Sequence, residues 1–155
     1  MNKVRQNPNQ IMFVPKIIWI ALLSSIVVYN YVVYLKIGAE AFSSLPQTEN
    51  PLLTALVVMA LLSFLLSLFL PNIILKSTRK KVKSMEGRIS IEIMQAVFMP
   101  FILRLIFLES ICVYGFILSF QDQSNLILFF SIPVIINYFF IFPTEKRWLE
   151  WIRFK

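Results

Sequence analysis

Long apolar runs separated by short polar breaks set the pattern of this chain. The runs cover residues 17–35, 52–75, about 96–120 and about 126–142. Each is near the roughly 20 residues that a helix needs to cross a hydrocarbon layer about 30 Å thick. Between them lie GAEAFSSLPQTENP, KSTRKKVKSMEGR and QDQSN, all with turn-forming or charged residues. After Pro143 comes TEKRWLEWIRFK, in which Trp148, Leu149, Trp151, Ile152 and Phe154 alternate with Lys146, Arg147 and Arg153. That mixture suits a short segment lying along lipid headgroups. The pattern predicts an all-α integral membrane protein with four transmembrane helices, because lipid leaves no water to satisfy an open backbone.

Composition strengthens this reading. Of 155 residues, 58% are hydrophobic, against the 45–50% or so of soluble domains. A chain of this size leaves about a third of its unfolded surface exposed even when folded, so a soluble core could not absorb the excess. The net charge of +7 does not point to nucleic acid, since the basic residues flank the apolar runs. Thirteen lie in the N-terminal segment, the second break and the tail, and one, Lys36, borders the other two breaks. The positive-inside rule then puts both termini and the basic loop in the cytoplasm. A bacterial inner membrane is the expected location. Ala39-Glu40-Ala41 imitates a signal-peptidase site, but the 19-residue run before it exceeds the 7–15 or so of a signal core, so it reads as an uncleaved anchor.

The chain has no His and a single Cys, Cys112, within an apolar run. It lacks a P-loop and a Gly-x-Ser-x-Gly elbow, so no enzyme, cofactor or metal site is expected. Arg79, Lys80, Lys81 and Lys83 are candidate contacts for anionic headgroups, worth about 1 kcal/mol each near a charged surface. Ser63 and Ser67 form a small-xxx-small pair that would allow close helix approach.

An internal repeat organises the runs. FVPKIIWIALLSSIVVY (residues 13–29) and FMPFILRLIFLESICVY (residues 98–114) share eight of seventeen positions at a constant offset of 85. The expected architecture is two tandem helical hairpins, residues 13–76 and 95–143, in parallel orientation. A basic cytoplasmic loop (residues 76–93) joins them and an interfacial tail (residues 144–155) follows. Parallel repeats relate by an axis along the membrane normal.

Within the repeat, Glu109 stands where the first copy has Ser24, and Arg104 where it has Trp19. An ionised carboxylate at bilayer centre costs at least about 2.5–3.5 kcal/mol. Glu109 can escape that cost as a protonated acid, by pairing with a cation, or by facing a cavity that holds water or an ion. Arg104 is the nearest cation, yet five residues place it about 140° around the helix, a poor pairing geometry. It sits about 7.5 Å nearer the cytoplasm, from where it can reach headgroups. Ser24, Ser25, Tyr29, Asn30, Tyr114 and Asn137 are further polar groups that could support Glu109.

The stretch LESICVYGFILSF, which begins beside Glu109, resembles the carboxylate helix of the rotary ATP synthase c subunit, the proteolipid family. There a mid-membrane acid is followed by small and apolar residues, then often Tyr-Gly and an aliphatic run. The resemblance covers about 13 residues and implies a carboxylate that binds and releases H⁺ or Na⁺. This chain departs from that family in its three glycines and in carrying the acid on the third span rather than the last. Two functions follow as expectations. In one, the chain is a subunit of a larger membrane assembly, a homo-oligomer or a complex with other subunits, and Glu109 exchanges an ion. In the other, it is a non-catalytic accessory or assembly protein in which Glu109 and Arg104 are interhelical or intersubunit contacts.

Overall fold

A computed structural model describes residues 12–42, 51–82 and 91–153. The described chain is helical throughout apart from short connections. α1 spans Phe13–Phe42, α2 Pro51–Val82, α3 Ile91–Asp122, α4 Leu126–Ile141 and α5 Glu145–Arg153. Stretches long and apolar enough to cross a membrane are Phe13–Gly38, Pro51–Lys76 and Ala96–Asp122. α4 is shorter, at 16 residues. Its length of about 24 Å falls short of a hydrocarbon core of about 30 Å.

The helices outrun the apolar segments that predict them. α2 continues to Val82, so Lys76, Arg79, Lys80 and Lys81 extend a helix instead of opening a loop. The side chains of Arg79, Lys80 and Lys81, and all of Lys83, lie outside the described residues. Pro15 is tolerated in the first turn of α1, where its missing N–H has no intrahelical partner to lose. α1 is interrupted at Gly38, whose φ of 76° and ψ of 166° suit a residue without Cβ.

α3 is the central element. It packs against α1, α2 and α4, and α1 also packs against α4. Burial follows this order: 39% of the central span's window is enclosed, against 17% for each span of α1 and α2. The contacts also fix directions. Pairs 25/109, 29/116 and 36/120 advance together, so α1 and α3 run parallel. Trp19 bonds to Tyr138 while Asn30 bonds to Ser131, so α4 runs opposite to α1. Extensive contact between the sequential neighbours α1 and α2 is absent among the described residues, because α3 takes up the inner face of α2. α2 and α4 border a cleft of about 410 Å³ floored by Ile111 and walled by Leu53, Phe64, Phe130 and Val134.

The α3–α4 hairpin is tight. Gln123 adopts φ 48°, and the N–H of Ser124 bonds to the Ser119 carbonyl at 3.3 Å, closing α3 as a Schellman-type turn. The Ser119 hydroxyl accepts the Ile127 N–H at 2.6 Å, satisfying one of the free donors of α4. One enclosed serine thus closes one helix and opens the next. Four residues before it, Gly115 lets the helices touch. A Cβ there would lie 2.7 Å from Cβ of Phe130.

α5 folds back under the end of the bundle that holds the start of α1 and the end of α4. Thr144 Oγ1 accepts the Arg147 N–H at 3.3 Å and so caps the helix. Trp148 is 2% exposed and packs on Phe101 at 5.5 Å. The Trp151 indole N–H donates to Asn72 Oδ1 at 3.1 Å, tying α5 to α2. The tail expected to lie along headgroups therefore turns one of its tryptophans into the protein.

Candidate functional site

The outward faces of α1, α2 and α4 are almost wholly apolar, with Phe13, Leu35, Leu61, Phe69, Ile73, Phe129, Phe139 and Phe140 all exposed. Exposed apolar surface this extensive is unlike that of a soluble monomer and matches a lipid-facing one. Against this background the polar groups of the spans are few, and Ser25, Tyr29 and Asn30 of α1 bond to polar groups on neighbouring helices.

Glu109 lies midway between Ala96 and Asp122, the ends of its span. Its Oε1 accepts the Ser25 hydroxyl at 2.6 Å and the Tyr29 hydroxyl at 3.2 Å. Ser25 and Tyr29 are four residues apart and so share a face of α1. Ser25 Oγ is also 2.7 Å from the Leu22 carbonyl. A hydroxyl carries one proton and cannot donate to both oxygens. With Glu109 ionised, one of these short oxygen–oxygen contacts has no proton. With Glu109 protonated on Oε1, the acid donates to Ser25, Ser25 donates to Leu22, and Tyr29 donates to the acid. Three contacts then hold three protons.

The second carboxyl oxygen differs. Oε2 has no hydrogen bond among the described residues, and it is not among their enclosed unpaired atoms. The residue as a whole is half-buried. Glu109 therefore presents one oxygen to α1 and leaves the other open.

The other sequence candidates separate. Ser24 is exposed and bonds back to the Ile20 carbonyl at 2.8 Å. Asn30 accepts from Ser131 at 3.1 Å, joining α1 to α4. Asn137 bonds to the Pro133 carbonyl within α4 at 2.9 Å. Tyr114 packs against the apolar core without a bond to Glu109. Arg104 does not bond to Glu109 either. It lies beside α5, on the far side of the helix as its spacing requires, and its Nε is enclosed without an acceptor among the described residues.

Two polar ties escaped sequence reasoning. The Trp19 indole N–H donates to the Tyr138 carbonyl at 3.0 Å, and the ring meets Phe142 edge-on at 4.9 Å. The Tyr138 hydroxyl, fully enclosed, donates to the Leu105 carbonyl at 3.3 Å. Aromatic residues in an apolar run give no hint that a polar tip is used inside the bundle. Among the described residues no three His, Cys, Asp or Glu side chains cluster as a metal site. Comparison of the chain with protein-family models, with curated proteins and with solved structures finds no match.

Proposed function

We propose that this chain is a four-span subunit of a larger membrane assembly, in which Glu109 is a protonatable carboxyl that engages H⁺, Na⁺ or a partner's donor near the bilayer midplane. The observation that carries the reading is the division of labour within that carboxyl. Oε1 is held by two hydroxyls of α1, and Oε2 remains open. An unpaired carboxyl oxygen is costly in hydrocarbon, so the open one calls for an ion, a water or a group on another chain. The hydroxyls of Ser25 and Tyr29 provide an oxygen-rich wall for such an exchange, in keeping with the likeness to the proteolipid carboxylate helix. In this reading both termini face the cytoplasm, the short α4 completes the fourth crossing, and the assembly sits in a bacterial inner membrane. The bonded pair Ser25 and Glu109 are 84 residues apart, one from the repeat offset of 85, as expected of two parallel copies lying side by side.

The two bonds from α1 to Oε1 favour a second reading, in which Glu109 clasps α1 to α3 and the chain is an accessory or assembly protein. Carbodiimide labelling of the purified protein in lipid, mapped by mass spectrometry with and without Na⁺, separates the two. Modification of Glu109 that Na⁺ blocks supports exchange. Absence of labelling at Glu109 means a sequestered clasp, and the exchange reading then fails.

A further inference from the structure

A second polar place lies in the cytoplasmic half of this topology, away from Glu109. Between α3, the end of α4 and α5 is a cleft of about 280 Å³, lined by Arg104, Arg147 and Glu150 together with Phe101, Trp148 and Trp151. We propose that this cleft binds a phosphate group, with Arg104 and Arg147 as the two claws.

Both guanidinium groups have donors to spare. Arg104 is half-buried, its Nε is enclosed, and it has no hydrogen bond or ion pair among the described residues. An enclosed Nε–H without an acceptor is costly, and an anion seated in the cleft would complete it. Arg147 uses Nη1 on the Phe139 and Phe142 carbonyls, at 3.0 and 3.4 Å, where it caps the end of α4. Its Nε and Nη2 remain for a further acceptor, since a guanidinium carries five N–H groups in a planar fork suited to phosphate. Glu150 removes one of the two positive charges from the balance and leaves the cleft positive overall. It also makes no ion pair with either arginine among the described residues.

The walls of the cleft are largely aromatic. Two indoles and the phenyl rings of Phe101 and Phe140 line a space open to the outside at the depth where α5 meets the bundle, the level at which indoles meet headgroups. The phosphate can come from an anionic phospholipid or from solution. The lipid source rests on the membrane reading given above, and the free-phosphate source does not.

The test uses the full chain purified in mild detergent. Native mass spectrometry counts retained phosphatidylglycerol against phosphatidylcholine, and indole fluorescence follows titration with inorganic phosphate. The expected result is preferential retention of phosphatidylglycerol by about tenfold, the value of one good charge-assisted contact. Arg104→Gln should abolish the preference, Glu150→Gln should strengthen it, and Glu109→Gln should leave it unchanged. Inorganic phosphate that shifts the fluorescence without any lipid preference identifies a free anion as the occupant and still supports the site. Wild-type protein that neither prefers phosphatidylglycerol nor responds to phosphate overturns the proposal, whatever the variants do. Equal preference in wild type and a folded Arg104→Gln protein overturns it as well.

Discussion

Ser25 and Glu109 meet at 2.6 Å, each near the middle of its span, on two helices that run parallel and nearly in register. This contact joins α1 to the central helix at the depth where a polar group is most costly to leave alone. Tyr29, one turn further along α1, closes the same carboxyl oxygen from above.

Removing the Ser25 hydroxyl should loosen the seam without unfolding the bundle. Ser25→Ala is expected to lower stability by about 0.5–1.5 kcal/mol, the range of interhelical hydrogen bonds in membranes. Tyr29→Phe should cost less, because its bond is longer at 3.2 Å. A double-mutant cycle of Ser25→Ala with Glu109→Ala, which removes the carboxyl altogether, read by unfolding in mixed micelles, should give a non-zero coupling energy. Strict additivity would mean that the hydroxyl and the acid do not interact.

Glu109→Gln should retain the fold, since the amide offers both a donor and an acceptor to Ser25 and Tyr29. A protonated-carboxyl band in the infrared spectrum of the wild type should vanish in this variant. A spectrum with only ionised carboxylate bands would reject the three-proton arrangement.

Crowding at Gly115 should be less forgiving. Gly115→Ala places a methyl 2.7 Å from Phe130 Cβ, which neither helix can relieve without shifting. The expected loss is about 1–3 kcal/mol, the usual result of overpacking. An unchanged melting temperature would show that the helices are further apart.

Ser119→Ala removes the acceptor for the Ile127 N–H and should cost about 1 kcal/mol, as loss of a helix cap does. Ser119→Thr keeps the oxygen and should recover part of it. The check is hydrogen exchange at Ile127, which should quicken in the alanine variant alone.

Sidedness is testable through single cysteines in a Cys112→Ser background. Gln121→Cys, at the α3–α4 turn, should react with an impermeant maleimide on intact cells. Lys146→Cys, on α5, should react only after permeabilisation. The reverse pattern would invert the proposed topology.

The helices themselves were legible along the chain because they depend on local information. Runs of apolar residues with polar breaks demand helices in lipid, and the four runs read as spans recur in the structure as three long helices and a shorter one. Glu109 was also legible, since a lone acid inside an apolar run is conspicuous wherever its helix goes. Its partners were not. Ser24, Ser25, Tyr29 and Asn30 are neighbours in sequence, but a helix turns about 100° per residue. Only the rotation of α1 against α3 decides that Ser25 and Tyr29 face the acid while Ser24 faces outward. The amphipathic tail shows the same division. Its pattern of Trp and basic residues requires an apolar surface to lie on, but lipid and protein offer the same chemistry to an indole. That Trp148 chooses Phe101, with Arg147 and Arg104 lining one cleft, is a consequence of how the first half of α3 and the end of α4 are brought together. Apolar periodicity is a property of each segment, whereas the meeting of sparse polar groups depends on angles between segments that no single segment encodes.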